Sequence, residues 1–302
     1  MKSENGPMNA QRPAGTRGVG RHPLPIPTIP IPSGDAIPQL GYGTYKIAPE
    51  DAQAAVETAL ELGYRHIDAA AMYRNEKEVG AAVAASGLPR DELWITSKLD
   101  NPFHEPAAAR EAFARSLEDL GLAYVDLYLI HWPLARSTDY AATWKTLLEF
   151  AEDGRARNIG VSNFQPDHLR HIIDATGVKP SVNQVEVTPY FTQEPLRSLH
   201  RELGIVTEAW SPLARGSVLT EPVVIEIARE LGRTPSQVVL RWHIQRGDVV
   251  FPKSVNPNRI AENLDVFGFT LSEDQMAAIT RLNRDERSGS SPDVVELDGG
   301  RK

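Results

Sequence analysis

Four chemically complementary side chains follow apolar runs in the first half of the sequence. They are Asp68, Tyr73, Lys98 and His131. A free tyrosine has a pKa of about 10, which is too high for efficient proton donation at neutral pH. We expect the Lys98 ammonium to lower the pKa of Tyr73, and the Asp68 carboxylate to orient the lysine and keep it charged. Tyr73 could then protonate a carbonyl oxygen to which His131 donates a hydrogen bond.

Each of these residues has an ordinary structural role if it is taken alone. Asp68 could cap a loop, Lys98 could end a strand in a salt bridge, and His131 could be a hydrogen-bonded core histidine. Tyr73 could simply pack against its neighbours. The catalytic interpretation therefore depends on a fold that brings all four side chains to one place.

The elements around these residues alternate regularly between strand-like apolar runs and amphipathic helical stretches. The predicted strands are Ile37–Tyr42, Arg65–Asp68, Leu93–Lys98, Val125–His131, Asn158–Ser162, Val182–Val187, Ile205–Trp210 and Val249–Pro252. The predicted helices cover 50–62, 75–86, 105–120, 138–153, 165–175, 193–203, 221–246 (split near Gly232 and Pro235), 256–265 and 272–283. Gly63, Gly121, Gly154, Gly177 and Gly204 fall just past helix ends, where a left-handed residue is favoured.

Eight successive β-α units predict an α/β fold, a closed (β/α)8 TIM barrel with an extra C-terminal helix. A doubly wound sheet rarely runs through so many units without a topological break. Active sites of such barrels lie at the C-terminal ends of the strands, so the four side chains would share one mouth. The segment 28–39 predicts a hairpin that could close one end of the barrel.

We interpret residues 1–25 as a disordered extension, 26–285 as the barrel and 286–302 as a polar tail. The net charge of −8 argues against nucleic acid and anionic membranes as partners. The sequence contains no cysteine, so disulfides and cysteine-bound zinc are excluded. With no apparent signal peptide or membrane span, we expect a cytoplasmic protein.

Later strand ends offer groups for a nucleotide, although no GxGxxG follows the first strand and no P-loop motif occurs. Ser162, Asn163 and Gln184 could hold a carboxamide, and Trp210 offers a face for a nicotinamide ring. The following loop carries possible pyrophosphate contacts at Ser211, Leu213 and Gly216.

The last predicted strand leads into a helix start that carries two cations. Lys253 and Arg259, with Ser254 as a further donor, favour a phosphate monoester such as the 2′-phosphate of NADPH. Ordinary surface charge is the competing explanation for both. The placement leads us to expect NADPH rather than NADH, with a hydride as the transferred group.

The sequence from about residue 26 to 285 resembles the aldo-keto reductase family. The matching blocks are LGYGTYK, HIDAAAMYRNEKEVG, DLYLIHWP, GRARNIGVSNF, NQVEVTPYF, AWSPLARG and FPKSVNPNRIAENLDVF. The resemblance implies a catalytic tetrad of Asp68, Tyr73, Lys98 and His131, with Tyr73 as the proton donor in NADPH-dependent carbonyl reduction. It also implies that the protein is an oxidoreductase, often monomeric in this family.

The same resemblance assigns further residues to the cofactor and the substrate. The implied cofactor contacts are Thr44, Ser162, Asn163, Gln184, Trp210, Ser211, Leu213, Gly216, Lys253, Ser254, Val255, Arg259, Glu262 and Asn263. Tyr45 and Trp132 should line the substrate pocket. Trp210 and the FPKSV block make the chain most similar to the bacterial 2,5-diketo-D-gluconate reductase-like branch.

Three departures from the family pattern concern the substrate. Asp100 follows Lys98-Leu where many members carry a tryptophan, and Thr188 stands where many have histidine. The tail after residue 285 has no aromatic residue for a bulky lid. We therefore expect an open pocket that tolerates polar substrates, such as a small dicarbonyl or a keto-sugar.

Two other functions remain as alternatives. A non-catalytic NADPH-binding regulator or redox sensor would retain the fold but not turn over carbonyls. A metal-dependent barrel hydrolase would need a ligand cluster, but no HxH or HExxH occurs. We expect His168 and His171 to lie on the polar surface of a helix, and we expect no metal.

Overall fold

A short antiparallel hairpin begins the chain as the structure describes it. The structure, a computed structural model, describes residues 25–295, so almost all of the predicted extension lies outside the described residues. Strands β1 (Thr28–Pro30) and β2 (Ala36–Pro38) pair with Ile29 opposite Ile37. Ile37 is buried against Trp94, Val182 and Val249, which lie at or near the beginnings of later strands. The hairpin therefore closes the N-terminal end of the barrel.

Within residues 25–295, eight parallel strands form one sheet in which each strand pairs with the next along the chain. They are β3 (Tyr42–Gly43), β4 (His66–Asp68), β5 (Trp94–Leu99), β6 (Val125–Ile130), β7 (Ala156–Ser162), β8 (Val182–Glu186), β9 (Val206–Trp210) and β10 (Val249–Val250). A parallel bridge between Leu40 and Val250 joins the first strand to the last. The sheet therefore closes into the predicted barrel.

The first predicted strand, Ile37–Tyr42, is divided in the structure. Its beginning belongs to the hairpin, whereas Tyr42 begins the first barrel strand. Pro38 has no N–H to continue a ladder, and a Cβ on Gly41 would lie 2.7 Å from a ring carbon of Phe251. The chain therefore leaves the hairpin after Pro38 and pairs with the last barrel strand from Leu40 onwards. Position 41 requires a glycine because the backbone there passes close to Phe251.

Helices cover the outside of the barrel. Those in the described chain are α1 (Pro49–Leu62), α2 (Glu76–Ala85), α3 (Pro106–Leu120), α4 (Tyr140–Glu152), α5 (Pro166–Thr176), α6 (Glu194–Leu203), α7 (Pro222–Leu231), α8 (Pro235–Gln245), α9 (Pro257–Leu264) and α10 (Glu273–Thr280). The predicted division of 221–246 is confirmed, with Gly232 at φ 60° and Thr234 capping α8. The last helix ends at Thr280, three residues earlier than predicted.

Local signals explain where many helices begin and end. The five glycines that the sequence places past helix ends all have positive φ. At Gly63 this conformation, with φ 112°, lets its N–H bond back to the last turn of α1. The amphipathic faces then pack on the strands: Phe113 of α3 lies 4.3 Å from Tyr128 of β6, measured between ring centroids.

Side chains alternate along each strand between the barrel interior and the helix layer. On β6, Leu127 and Leu129 contribute to the apolar group inside the barrel, whereas Tyr128 packs on the helices. His131 continues the inward series one step past the strand. The alternation thus directs chemically active side chains into the mouth. No helix among residues 25–295 is both long enough and apolar enough to cross a membrane.

Candidate active site

A fully buried ion pair lies at the centre of the barrel mouth. Lys98 on β5 has no exposed surface, and its Nζ lies 2.7 Å from Oδ1 of Asp68 on β4. The same ammonium donates to the carbonyl of Ala69 at 2.8 Å. Burial alone would disfavour the ammonium, but the neighbouring groups, with the charge of the Asp68 carboxylate first among them, raise the pKa of Lys98 overall. Lys98 is therefore a permanent cation at neutral pH.

Tyr73 lies beside this pair at the end of a single turn of 3-10 helix, Ala71–Tyr73. The Lys98 Nζ is 5.0 Å from the centroid of its ring. Asn75, directly before α2, holds this turn against the loop after β3 by donating to the carbonyls of Thr44 (3.0 Å) and Ile47 (3.1 Å). The phenol is thus fixed by the loop as well as by the ion pair.

The pKa of Tyr73 does not follow the expectation from sequence. Burial raises it to about 12, and the nearby Lys98 ammonium, which favours the phenolate, offsets burial only in part. The predicted net lowering of the pKa is therefore wrong for the protein without bound ligands, because desolvation of the phenol outweighs the effect of the cation. Tyr73 is a neutral phenol at neutral pH and carries the proton that a donor needs.

His131 faces Tyr73 from the end of β6. Their ring centroids are 5.7 Å apart in an edge-to-face arrangement. Burial, reinforced by the Lys98 charge, holds the pKa of His131 well below its ordinary value, so the imidazole is neutral. Its Nδ1 is buried and has no hydrogen-bond partner among residues 25–295. The four predicted catalytic side chains therefore meet at the mouth, with Asp68, Lys98 and His131 buried and Tyr73 half-buried.

Four of the predicted cofactor residues form a connected polar network beside this group. Trp210 donates from Nε1 to Oδ1 of Asn163 at 2.9 Å, and Asn163 donates from Nδ2 to the carbonyl of His131 at 3.0 Å. Ser162 donates to the carbonyl of Gln184 at 2.8 Å. Asn163 adopts a left-handed backbone, φ 64°, which turns it back towards the mouth. The network ties the Trp210 ring to the backbone of His131.

The loop after β9 is shaped by several positive φ angles. Ser211 has φ 53°, Arg215 has φ 55° and Gly216 has φ 95°. Leu213 in this loop is partly buried. Non-glycine residues in this conformation are uncommon outside turns and functional sites. The loop is the one that the sequence assigns to a pyrophosphate.

Lys253 and Arg259 flank the start of α9, and both are exposed. Within the described chain neither is paired with a carboxylate. Asn256 caps the helix by accepting from the N–H of Arg259 at 3.3 Å, and Ser254 accepts from the N–H of Asn256 at 3.0 Å. Two unpaired cations at a helix N-terminus form a donor set that fits a phosphate monoester.

The remaining predicted cofactor residues are more varied in position. Val255 is half exposed, and Thr44 is buried, with its hydroxyl donating to the carbonyl of Asp68 at 3.0 Å. Asn263 is buried on α9. Glu262 on the same helix is already engaged, because its Oε1 accepts from the hydroxyl of Thr234 at 2.7 Å. The roles of all these residues towards a cofactor stay predictions.

Comparison with known proteins now identifies the family. The model of the Aldo/keto reductase family matches residues 39–284. The chain is an aldo-keto reductase. Among its relatives, 2,5-diketo-D-gluconic acid reductase B of Corynebacterium sp. (strain SHS752001) is 47% identical over 272 residues, covering 90% of this chain and 98% of the relative. Methylglyoxal reductase DkgA of Escherichia coli (strain K12) is 44% identical over 267 residues, covering 88% and 96%.

A solved structure supports the same assignment. The crystal structure of a mutant of Gox0644 in complex with NADPH superposes with a TM-score of 0.87 at 42% identity, covering 91% of this chain and 100% of that chain. The resemblance stated from the sequence motifs, including the diketogluconate reductase-like branch, is thereby confirmed. The (β/α)8 barrel predicted from the β-α alternation is confirmed as well.

The predicted substrate wall of this aldo-keto reductase is partly open. Tyr45 is 50% exposed and its ring lies 5.1 Å from that of Tyr73; Trp132 is partly exposed. Asp100 caps a 3-10 turn by accepting from the N–H of Asn101 at 2.7 Å. Thr188 is buried, and its hydroxyl accepts from the N–H of Tyr190. Both departures from the family pattern therefore have local backbone roles.

The two histidines weighed as metal ligands have other partners. His168 on α5 is partly buried, and its Nδ1 accepts from the N–H of Gln165 at 3.1 Å as part of the helix cap. His171 is exposed and lies beside Tyr140. The expectation of a polar surface fits His171 but is only partly right for His168, because its ring caps the helix.

Sequence reasoning missed a contact between the C-terminal tail and the barrel mouth. Glu186, at the end of β8, accepts from both the N–H and the hydroxyl of Ser288 at 2.6 Å and from the N–H of Gly289 at 3.1 Å. A Cβ on Gly289 would collide with the Trp210 ring. Although this part of the tail carries no aromatic side chain, its backbone lies directly on the edge of Trp210.

Sequence reasoning also passed over Glu208. It lies two residues before Trp210 on β9 and is fully buried. The alternation of side chains could have revealed it, since a residue two positions before an inward-facing Trp210 must also face inward. A glutamate inside a barrel is rarely an inert packing residue.

Proposed function

We propose that this aldo-keto reductase reduces aldehydes or ketones to alcohols with NADPH, and that Tyr73 donates the proton. The observation that carries the proposal is the position of a neutral, half-buried phenol between the Lys98 ammonium and the His131 imidazole at the barrel mouth. When bound, NADPH supplies the hydride.

The four side chains at the mouth have separate roles in the proposed reaction. His131, as a neutral imidazole, donates a hydrogen bond to the carbonyl oxygen and orients it towards Tyr73. Tyr73 gives its proton to that oxygen as negative charge develops there, and Lys98 stabilises the phenolate that remains. Asp68 holds Lys98 in place and charged. In the alcohol product the proton from Tyr73 is on oxygen.

The donor set at the mouth fits the cofactor. Asn163 and Gln184 would orient the carboxamide, Trp210 would stack on the nicotinamide ring, and Arg259 with Lys253 would bind the 2′-phosphate. The NADPH complex of a 42% identical protein supports this arrangement. The unpaired state of the two cations supports NADPH over NADH.

The substrate class follows from the open wall and from the relatives. One relative is named for methylglyoxal and another for 2,5-diketo-D-gluconic acid, both compounds with two adjacent or nearby carbonyls. The partly exposed Asp100 carboxylate suits polar substrates better than large apolar ones. We therefore propose a small dicarbonyl or a keto-sugar as the substrate. We also propose that the enzyme is monomeric and cytoplasmic.

The deciding experiment follows NADPH oxidation with methylglyoxal, an aromatic aldehyde, a diketone and a keto-sugar, with NADH in parallel. We expect turnover that favours NADPH and the dicarbonyls. Tight NADPH binding with no turnover of any carbonyl would instead support a non-catalytic regulator. Activity abolished by a chelator would revive the metal-dependent alternative.

A further inference from the structure

Glu208 occupies a place directly beneath the catalytic group. In the sheet it is level with Gln184 of β8 and Val249 of β10. The Gln184 Nε2 donates to Oε2 of Glu208 at 2.8 Å and to Oδ1 of Asp68 at 2.9 Å. A single amide NH2 group thus bridges two buried carboxyl groups across the barrel.

The charges around this bridge are unbalanced if both carboxyl groups are ionised. The charged groups that act on Glu208 are Asp68 from β4 and Lys98 from β5. Lys98 makes its hydrogen bonds to Asp68 and to the carbonyl of Ala69, not to Glu208. Among the described residues, Oε1 of Glu208 has no hydrogen-bond partner. An ionised oxygen left in that state is far costlier than a neutral one.

We propose that Glu208 is a positioning residue that carries a proton at neutral pH. As a neutral acid it accepts from the Gln184 amide and fixes that side chain, and it leaves Asp68 and Lys98 as a balanced pair beside Tyr73. Desolvation, with the Asp68 charge second, raises the pKa of Glu208 to about 8, although Gln184 and Lys98 oppose the rise. The direction of this pKa shift therefore agrees with the geometry.

Loss of this proton to solvent has a definite effect on the neighbouring phenol. It adds one negative charge to a buried group that already contains Asp68. That charge favours neutral Tyr73 over its phenolate, so Tyr73 becomes a weaker acid. This step rests on the proposed function, and it implies that carbonyl reduction declines as pH rises through about 8.

The first test needs neither cofactor nor substrate. Carbon-13 NMR of the cofactor-free protein, labelled at glutamate carboxyl carbons, should show one carboxyl group that titrates near pH 8 in the wild type and is absent from Glu208→Gln. A Glu208 signal that titrates at the ordinary glutamate pKa would overturn the proposal.

The pH dependence of folding stability provides a second readout on the same cofactor-free protein. The pKa of Glu208 is about 8 when folded and 4.5 ordinarily, so between these values the folded state binds more protons than the unfolded state. The contribution of Glu208 to the free energy of unfolding should therefore be complete below pH 4.5 and decrease as pH rises towards 8. Glu208→Gln should lack this slope in urea unfolding. Parallel slopes in the two proteins would contradict the proposal.

The kinetic test uses the shape of the pH profile. The alkaline decline of kcat/KM for reduction should be several-fold in the wild type and absent in Glu208→Gln, whose amide oxygen can still accept from Gln184. Glu208→Leu removes that acceptor, and the Kd for NADPH should rise several-fold. The matched control is Glu76→Gln, a second buried glutamate whose oxygens accept from Ser97 and Ser116.

The outcomes separate this inference from the proposed function. If no carbonyl is reduced but Glu208 titrates near pH 8, the activity proposal fails and the protonated glutamate stands. If carbonyls are reduced and the pH profiles of the wild type, Glu208→Gln and Glu76→Gln coincide, the positioning role fails and the activity stands. Circular dichroism of each variant establishes that it is folded before either conclusion is drawn.

Discussion

Buried carboxyl groups at the two ends of the barrel differ in how many cations lie beside them. At the N-terminal end, Asp126 lies 2.7 Å from Arg90 and 3.6 Å from Arg157, and it also accepts from the N–H of Ile95. At the mouth, Asp68 and Glu208 share the amide of Gln184, and of these two carboxyl groups the nearby lysine bonds Asp68 alone. Among the described residues, one buried carboxylate at the N-terminal end therefore has two arginines beside it, whereas two carboxyl groups at the mouth have a single lysine between them.

This difference separates stability from chemistry. A buried carboxylate that is fully paired stays ionised and holds the structure together, and its loss is costly. Incompletely paired groups can gain or lose protons near physiological pH, which is what proton transfer requires. The hairpin and its apolar cluster close the first end, whereas the Tyr45 ring beside Tyr73 at the mouth is half exposed. The following variants test whether the two ends are as independent as the contacts indicate.

The largest effect is expected from Tyr73→Phe. It removes the proton donor but keeps the ring, so turnover should fall on the order of 10²–10⁴-fold. The Kd for NADPH and the midpoint of thermal unfolding should stay close to the wild type, measured by fluorescence titration and by calorimetry. Turnover that persists unchanged would show that another group donates the proton.

Asp126→Asn should show the converse pattern at the other end. It leaves Arg90 without its carboxylate, and the free energy of unfolding should fall by about 2–3 kcal/mol while kcat is retained. The matched control is Asp153→Asn, which breaks the half-exposed pair with Arg155 and should cost less than about 1 kcal/mol. A large loss of kcat at full stability in Asp126→Asn would mean that the ends are coupled.

Arg259→Ala should act on the cofactor alone. The loss of one charge-assisted hydrogen bond should weaken NADPH binding about tenfold and leave NADH binding nearly unchanged. Arg170→Ala, on the exposed face of α5, is the control for a general change of charge. Equal weakening of both cofactors would place the 2′-phosphate elsewhere on the protein.

The smallest effect is expected from Gly289→Ala. The added methyl group would collide with the Trp210 ring, so the tail must shift. We expect a few-fold change in KM and a changed near-ultraviolet signal of Trp210, with little change in stability. Gly268→Ala is the matched control, because its Cβ would have only ordinary contacts. Identical KM values in all three proteins would show that the tail does not influence the mouth.

The sequence was informative where local rules apply. Periodicity and glycine positions predicted the succession of strands and helices, and the barrel rule then brought Asp68, Lys98 and His131 to one mouth. The division of the first strand was missed because it depends on the approach of Phe251 to Gly41, about two hundred residues away in the chain. The predicted pKa shift of Tyr73 had the wrong direction because the burial of a side chain depends on the tertiary structure.

Two features of the site escaped for a related reason. Glu208 matters through a hydrogen bond to Gln184 that bridges to Asp68, a contact that no short motif encodes. The binding of Ser288 by Glu186 joins residues 102 positions apart. The polar tail looked featureless because it binds Glu186 through two backbone N–H groups and one serine hydroxyl, which form no recognisable motif.

The contact between Gly289 and Trp210 has a practical consequence for handling the protein. A purification tag or fusion partner attached at the C-terminus would be joined shortly after a segment that rests against the aromatic ring proposed to stack on the cofactor. We expect kinetic constants measured with such a tag to differ from those of the untagged protein. The attachment point for immobilisation, labelling or fusion should therefore be chosen at the other terminus, which enters the fold at the closed end of the barrel.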